Sequence, residues 1–450
     1  MTIEHIPSDA FAASALQWAA GAGAILAGNG GLAADAQALQ RYAEQGEQLL
    51  AELPAKPDRS AGQQATASAI HGALRSVRTR FMQRHADAVY RTLTEDYTRR
   101  VRLPQLAYGA AQAFPGLVPS EAQIAVERTC LQDAKEAREI DQGIFFSAIL
   151  GSPASGAHLL DTMLRPGDKA PALLAQFQRD GQLRLDTLHI ERRGTTAHVT
   201  VHNEHCLNSE DEQLIADMET AVDLVLLDDA THVCVLRGSA MTHPKYAGRR
   251  VFSAGINLKQ LHQGQISYVD FLLQREMGYI SKILRGIRVD GADGLCRTLE
   301  KPWIAAVDTF AIGGGAQLLL VFDHVIGGAD SFFSLPAAQE GIVPGVGNLR
   351  LGRAVGARIA RQIILGGRRI WAKEEDGRLL FDEVVEPGHM DAAIEARAAA
   401  LDSPAVIVNR RMLALAEEPP ELFRSYMAQF ALEQAERLYS EDVLAKVRRA

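Results

Sequence analysis

Apolar residues recur at helical spacing through the first part of the chain. The clearest helical segments span residues 36–53, 61–97 and 120–150, and prolines separate them. Few β-branched runs interrupt this pattern, and no set of residues in this part is typical of a catalytic site. The pattern therefore predicts an all-helical N-terminal domain over residues 1–184.

The pattern changes after residue 184, where strands begin to alternate with helices. Alternating segments predict two strands around a turn at Arg193 and Gly194. The predicted strands are residues 185–192, 195–202, 232–237, 303–307, 324–327 and 332–335, and the predicted helices are 209–226, 268–284 and 316–322. Repeated strand–turn–helix units indicate an α/β catalytic core over residues 185–402. Residues 403–450 are helical again and predict a C-terminal tail that packs on the core or on a neighbouring subunit.

Composition narrows the class of protein. The chain has 450 residues, with 47 basic and 55 acidic side chains and a net charge of −8, which argues against a nucleic-acid partner. Four cysteines lie far apart, without the spacing of a metal site or a disulfide framework, and favour a cytoplasmic location. Residues 10–34 include no charged side chain, but they are mostly alanine and glycine and follow no basic segment. We therefore expect neither export nor membrane insertion.

Two glycine turns carry the candidate chemistry. Gly255 allows a sharp bend that leaves the backbone N–H of Ile256 without a helical partner, and the Gly313–Gly315 run exposes the N–H of Gly314 at a helix start. Two such donors that converge form an oxyanion hole, which stabilises negative charge on a reacting carbonyl oxygen. Tight packing alone explains a single glycine-rich turn equally well.

Several motifs in order resemble the crotonase (enoyl-CoA hydratase/isomerase) superfamily. They are residues 252–259, 301–307 and 312–317, then Asp323, Pro336 and the run Gly-Ile-Val-Pro-Gly at 341–345. The resemblance implies a ββα-spiral core, a homotrimer or dimer of trimers, and an acyl-CoA substrate whose thioester oxygen lies between the amides of Ile256 and Gly314. It also implies that Lys259 meets coenzyme A phosphates, although a solvated surface lysine is the alternative.

Two departures from the family pattern exclude hydratase chemistry. Hydratases of this superfamily place glutamates where this chain has Gln317 and Ala337. An amide transfers protons poorly and a methyl group cannot transfer them at all, whereas hydration of a double bond needs both an acid and a base. What remains is an enolate-stabilising site with apolar Ala337 and Ile342 near the reacting carbon. That these two residues form a dioxygen pocket is implied by the narrower resemblance described next.

Gln317, the N-terminal extension and the helix that carries Arg275 resemble the superfamily's cofactor-independent dioxygenases, which act on (3,5-dihydroxyphenyl)acetyl-CoA. That resemblance implies an oxidoreductase of glycopeptide antibiotic biosynthesis that needs no metal or flavin, with coenzyme A entering only as part of the substrate. The products would be 3,5-dihydroxyphenylglyoxylate and free coenzyme A.

The same resemblance gives roles to three polar side chains. Arg275 would orient or electrostatically support the substrate, and Glu210 and Gln317 would bind the ring hydroxyls. A surface ion pair is the alternative for Arg275, and Glu212 competes with Glu210 because both lie in a charged helix start. Two alternative functions stay open: an acyl-CoA isomerase or thioester hydrolase, and a non-catalytic acyl-CoA-binding scaffold.

Overall fold

The structure, a computed structural model, describes residues 9–28, 30–291 and 294–449. Its α-helices are α1 Asp9–Ala20, α2 Leu32–Ala51, α3 Ala61–Leu93, α4 Leu103–Ala113, α5 Glu121–Glu127, α6 Glu139–Gly151, α7 Pro153–Met163, α8 Lys169–Asp180, α9 Glu212–Leu227, α10 Leu258–His262, α11 Gln274–Met277, α12 Tyr279–Arg285, α13 Gly314–Leu319, α14 Ala337–Glu340, α15 Gly347–Ile364, α16 Met390–Leu401, α17 Pro404–Glu417, α18 Pro420–Arg437 and α19 Glu441–Val447. Its strands are β1 Gln182–Arg184, β2 Leu188–Arg193, β3 Thr196–Val201, β4 Val233–Gly238, β5 Ile287–Asp290, β6 Cys296–Leu299, β7 Trp303–Val307, β8 Phe310–Ile312, β9 His324–Gly328, β10 Phe332–Ser334, β11 Ile370–Trp371 and β12 Glu383–Val385.

The chain divides into two compact units. The first takes in the chain through Leu159, together with His262–Gln265 and Met427–Ser440, and is helical. Its long helix α3 begins with a capping box, in which the side chains of Ser60 and Gln63 each accept the other's backbone N–H. One face of α3 is fully buried through Ile70, Leu74, Val77 and Phe81, at the spacing that keeps side chains on one side of a helix.

The second unit contains a seven-stranded sheet in the order β1-β2-β3-β4-β7-β9-β12. The first three strands pair antiparallel, and the pairs from β3 to β12 are parallel. Every residue of β7 is buried, as expected for a central parallel strand that is covered on both faces. Helix α16 packs against this sheet, where Ile394 joins Val235, Ile304 and Ile326 in one apolar cluster.

A smaller sheet in the order β11-β10-β8 positions the second glycine turn. Strand β8 pairs in parallel with β10 and runs directly into Gly313, whose N–H donates to the carbonyl of Ser334 at 2.8 Å. The first glycine turn joins the same strand because Ser253 forms a parallel bridge with Ala311. The chain therefore brings both turns to one place.

The predicted fold class is confirmed. Along the chain, a helical N-terminal region is followed by an α/β core and then by a helical C-terminal end. The predicted domain bounds at residues 184/185 and 402/403 stay a prediction. Asn29, inside the uncharged stretch 10–34, lies outside the described residues. Within the described ranges no single helix has the length and apolar character to cross a membrane, although α6 and α7, bent by 105°, pass that test as a pair.

Three predicted helices differ from the structure. The segment 120–150 is two helices, because α5 ends at Glu127 and a 3-10 turn over Gln132–Ala134 follows. Ala137, with a φ of 62°, then precedes the start of α6. The segment 61–97 ends as a helix at Leu93, before three residues with positive φ. The segment 268–284 begins as a π-helix over Tyr268–Leu273 and breaks at Gly278, so that it consists of three short pieces.

Candidate active site

Backbone hydrogen bonds connect the two glycine turns. Gly255 has a φ of 85° and Gly313 a φ of 55°, conformations that favour glycine. The N–H of Ile312 donates to the carbonyl of Ser253 at 3.0 Å. A Cβ atom on Gly255 would stand 3.3 Å from the amide nitrogen of Gly314, so the backbones of the two turns are in contact.

This contact brings two backbone donors together. Within the described part of the chain, neither the N–H of Ile256 nor that of Gly314 has an acceptor. Gly314 is the first residue of α13, where an N–H has no partner inside the helix. Two N–H groups without acceptors on adjacent turns are the feature that an oxyanion hole requires, and the role itself stays a prediction.

Glu210 links the first turn to a buried polar cluster. Its N–H donates to the carbonyl of Gly255 at 2.7 Å, and its carbonyl accepts the N–H of Asn257 at 2.8 Å, which holds Ile256 between them. Its carboxylate accepts two hydrogen bonds from Arg275, from Nε at 3.1 Å and from Nη2 at 2.9 Å. The hydroxyl of Tyr279 donates to the same carboxylate at 3.2 Å.

Gln317 and Glu276 complete this cluster. Nη1 of Arg275 donates to Oε1 of Glu276 at 2.8 Å and to Oε1 of Gln317 at 2.7 Å. Nε2 of Gln317 donates to both oxygens of Glu276, each at 2.8 Å. Nη2 of Arg275 also donates to the carbonyl of Gly314 at 2.7 Å, so the cluster lies directly beside the second oxyanion donor.

Burial and neighbouring charges set the ionisation of this cluster. Burial alone would lower the pKa of Arg275, but the charges of Glu210 and Glu276 raise this pKa above its ordinary value. Burial, together with the charge of Glu210, raises the pKa of Tyr279 well above its usual range. Arg275 is therefore a fixed cation and Tyr279 a neutral hydroxyl donor. Two carboxylates share one guanidinium, and each needs its additional hydrogen bonds to remain buried.

A family model described as enoyl-CoA hydratase/isomerase matches residues 191–417, which is half of the chain. The chain belongs to the enoyl-CoA hydratase/isomerase family. The resemblance predicted from the glycine turns and the motifs around them is thereby confirmed.

Relatives differ in how much of the chain they match. A (3,5-dihydroxyphenyl)acetyl-CoA 1,2-dioxygenase of Amycolatopsis orientalis is 56% identical over 413 residues, which cover 92% of this chain and 95% of that protein. A probable enoyl-CoA hydratase of Rhizobium meliloti is 31% identical and covers 46% of this chain and 71% of its own. A crystal structure of an enoyl-CoA hydratase/isomerase from Pseudoalteromonas atlantica, 21% identical, covers 58% of this chain and 96% of its own with a TM-score of 0.49. The predicted similarity to dioxygenases of the superfamily is confirmed by the first relative.

In this family member, five of the predicted site residues lie together. They are Ile256, Gly314, Arg275, Gln317 and Glu210. Arg275 is 4% exposed, so the alternative of a surface ion pair is excluded. Glu212, the competitor of Glu210, accepts the N–H of Ser267 at 2.8 Å, at the start of the π-helix. The roles assigned to the five residues stay predictions.

The other three predicted residues lie at the edges of this cluster or outside it. Lys259 is exposed in α10, three residues beyond Ile256. Ala337 is buried at the start of α14, and its carbonyl accepts the N–H of the half-buried Ile342 at 3.1 Å. These two residues therefore adjoin one another, as a shared apolar pocket requires. Among the described residues, no group of three or more histidine, cysteine or acidic side chains is placed to hold a metal ion.

Sequence reasoning missed Glu276 and Tyr279. Glu276 follows Arg275 directly and is 2% exposed, and Tyr279 is 1% exposed. Neither residue had a usable signal in the sequence. The helix breaks at Gly278, so the spacing of four residues between Arg275 and Tyr279 is not that of one continuous helix. Adjacent residues on a regular helix point in different directions, so the position of Glu276 beside Arg275 did not indicate a contact either.

Proposed function

We propose that this chain is a cofactor-independent dioxygenase that converts (3,5-dihydroxyphenyl)acetyl-CoA and O2 to 3,5-dihydroxyphenylglyoxylate and coenzyme A. One observation carries the proposal: the dioxygenase relative is 56% identical across 92% of the chain, whereas the hydratase relative covers 46%. The similarity to the dioxygenase thus extends through the helical N-terminal region. The replacement of the hydratase glutamates by Gln317 and Ala337 supports the same conclusion.

The first step is loss of a proton from the α-carbon of the thioester. The aryl ring and the thioester both acidify this carbon, and the negative charge moves to the thioester oxygen. The N–H groups of Ile256 and Gly314 bind that oxygen and stabilise the enolate. Removal of one such donor typically costs about 3–4 kcal/mol of transition-state stabilisation.

Dioxygen then reacts with the enolate in the apolar space beside Ala337 and Ile342. The enolate carbon forms a bond to one oxygen atom, and the resulting peroxide attacks the thioester carbonyl with departure of coenzyme A as the thiol. Loss of the second α-proton breaks the O–O bond, which leaves a ketone at the α-carbon and a carboxylate beside it. Both atoms of O2 enter the product, and the α-carbon supplies the four electrons that reduce them.

The polar cluster recognises the ring hydroxyls. A carboxylate has about four acceptor positions, and that of Glu210 receives three donors, two from Arg275 and one from Tyr279, so one position remains for a substrate hydroxyl. Oε1 of Gln317 accepts one hydrogen bond from Arg275 and has capacity for a second. Two hydroxyls at meta positions can therefore bind two acceptors that one guanidinium holds in place.

We also propose a homotrimer or dimer of trimers in the cytoplasm. Helix α17 exposes Val408, Met412 and Leu415, each more than half exposed and on one face of the helix. Contact with a second copy would remove this apolar stripe from water. Met412→Lys should then lower the oligomer mass measured by light scattering, because the charge disrupts this contact. Asn409→Lys, which lies off the stripe, should leave the mass unchanged.

The four cysteines are free thiols, which fits the proposed cytoplasmic location, a reducing compartment.

Purified, metal-stripped protein should consume one O2 for each thiol released from (3,5-dihydroxyphenyl)acetyl-CoA. With 18O2, both heavy atoms should appear in the glyoxylate. Glu210→Gln should raise the KM for the thioester, while Glu395→Gln, an exposed control on α16, should not change it. Thiol release without oxygen uptake would replace the proposal with a hydrolase, and the absence of both would indicate a binding scaffold.

A further inference from the structure

Glu276 contacts three separate parts of the site. Its carboxylate accepts a hydrogen bond from Nη1 of Arg275 at 2.8 Å. Nε2 of Gln317 donates to both oxygens of the same carboxylate, each at 2.8 Å. The backbone N–H of Val346, which follows the Gly-Ile-Val-Pro-Gly turn, donates to it at 3.3 Å. The side chain is 2% exposed, and no role in the reaction described above uses it.

This contact explains why residue 317 is glutamine. A carboxylate only accepts hydrogen bonds and a guanidinium only donates them. Gln317 lies between Glu276 and Arg275, so its side chain must donate on one side and accept on the other. An amide does both at once. A glutamate at 317 would instead place two carboxylates about 3 Å apart, which disfavours ionisation of both.

Glu276 also positions the turn that carries Ile342. Gly345 has a φ of 48°, and a Cβ atom there would overlap the carboxylate of Glu276 and lie 2.5 Å from Nε2 of Gln317. The hydroxyl of Tyr426 donates to the carbonyl of Gly345 at 2.7 Å. The turn is thus held on one side by Glu276 and on the other by Tyr426.

We propose that Glu276 is the positioning residue that commits this site to oxygenation. It fixes the amide of Gln317 so that Oε1 stays available to the substrate ring, and it excludes a catalytic carboxylate from the position where hydratases carry one. Its hold on Val346 keeps the Ile342 turn beside the same cluster. The role in turnover rests on the proposed dioxygenase function, but the pairing of Glu276 with Gln317 does not.

Three isosteric variants test this pairing: Glu276→Gln, Gln317→Glu and the double variant that exchanges the two groups. Each single variant should lower kcat for oxygen uptake by about ten- to a hundredfold, because one replaces the acceptor carboxylate and the other creates a repelling pair. The double variant restores one amide and one carboxylate between Arg275 and Val346. Its kcat should be at least about tenfold higher than the value expected if the two single losses simply multiplied. Such a coupling is within the range found for residues in contact.

The thermal midpoint gives a readout that does not depend on turnover. The titratable and charged groups around Glu276 are Arg275 on its own helix, Glu210, Tyr279 and Tyr426. In Gln317→Glu, one of the paired carboxyls must keep a proton in the folded protein. The midpoint of this variant should therefore fall relative to wild type as pH rises from about 5 to 8, whereas the double variant should follow wild type.

The outcomes separate the two proposals. If wild type consumes no oxygen with the aryl-acetyl-CoA, the function fails, and the midpoints still decide the pairing of Glu276 with Gln317. If wild type is active but the double variant is no better than Gln317→Glu in both rate and midpoint, the role of Glu276 is overturned. Should Gln317→Glu fail to fold, a folded double variant supports the pairing and an unfolded one contradicts it. Glu395→Gln serves as the control in both measurements.

Discussion

The carboxylate of Glu210 fills the space that a Cβ atom on Gly314 would need, and Nη2 of Arg275 would lie 3.0 Å from the same atom. The polar cluster around Arg275 is therefore in contact with Gly314. Any displacement of the ion pair between Glu210 and Arg275 must also disturb Gly314, so under the proposed function binding of the ring would be coupled to stabilisation of the enolate.

Gly314→Ala should consequently lower kcat/KM by about a hundredfold or more, because the added methyl group displaces the ion pair and misaligns the donor. Oxygen uptake at several thioester concentrations measures the effect. Gly352→Ala is the matched control, since a Cβ atom at Gly352 in α15 meets nothing within 4 Å. Alanine there should leave the rate unchanged. Wild-type kinetics in Gly314→Ala would show that the ion pair has room to move.

The sequence predicted the backbone conformation of the candidate site better than its side-chain contacts. Gly255 and Gly313 marked both sharp turns, because positive φ restricts the residue type and leaves a mark in the sequence. The partners of Arg275 leave no comparable mark. They come from the segment ahead of α9, from α13 and from its own helix, and only the folded chain brings them together.

Irregular helices limited the rest of the prediction. The π-helix at Tyr268–Leu273 and the break at Gly278 change which side chains share a face, so a period of 3.6 residues no longer identified the buried side of the segment with Glu276 and Tyr279. The antiparallel pair Ile287–Asp290 and Cys296–Leu299 was not predicted from the sequence either. Ile287 and Val289 alternate with polar residues over only four positions, and Ile287 alone in the pair is buried, so the apolar pattern is too short to indicate a strand.

A second buried ion cluster supports the helix that carries Tyr279. Nζ of Lys282 donates to Asp223 at 2.7 Å and to Glu219, and Lys282 is completely buried. Lys282→Met would leave two buried carboxylates without their cation. It should reduce the free energy of unfolding by about 3–5 kcal/mol, measured by urea denaturation. Lys373→Met, at an exposed ion pair, is the control and should change it by less than about 1 kcal/mol.

The same variant should show a defined dependence on pH. Burial, together with the charge of Glu219, raises the pKa of Asp223 to about 6, although Lys282 lowers it. Without Lys282 this pKa rises further. A carboxyl with a raised folded pKa binds more protons when folded, so stability is lost as pH increases through that pKa. The deficit of Lys282→Met should therefore be smaller at pH 5 than at pH 8, and a constant deficit would contradict this account.

Glu127 is predicted to limit stability of the helical unit at alkaline pH. Burial, and then the charge of Glu139, raise the pKa of Glu127 to about 7, while Arg138 and Lys135 oppose this shift. The folded protein therefore favours the protonated form, and stability falls as pH rises from about 4.5 to 7. Glu127→Gln removes the titration and keeps an oxygen that can accept the N–H of Arg138.

Glu127→Gln should accordingly raise the thermal midpoint above that of wild type at pH 8 and change it little at pH 5. The gain at pH 8 should not exceed about 3.5 kcal/mol, given about 1.4 kcal/mol for each unit of pKa. Glu121→Gln, exposed at the start of the same helix, should show no such difference between the two pH values. An equal effect of Glu127→Gln at both pH values would contradict the raised pKa.

Lys259 provides a test of where the coenzyme A moiety lies. It is exposed and stands three residues beyond Ile256, so its charge can meet a phosphate of a thioester bound at the oxyanion hole. Lys259→Ala should raise the KM for the CoA thioester about two- to fivefold with kcat unchanged, the size expected for an exposed ion pair. High salt should reduce the difference in KM between Lys259→Ala and wild type, and a pantetheine thioester without the nucleotide phosphates should show none.

Lys169→Ala, exposed at the start of α8, is the control and should leave this KM unchanged. An equal rise in KM for the CoA and pantetheine thioesters would mean that Lys259 acts through the shape of the first turn, with no direct contact to phosphate.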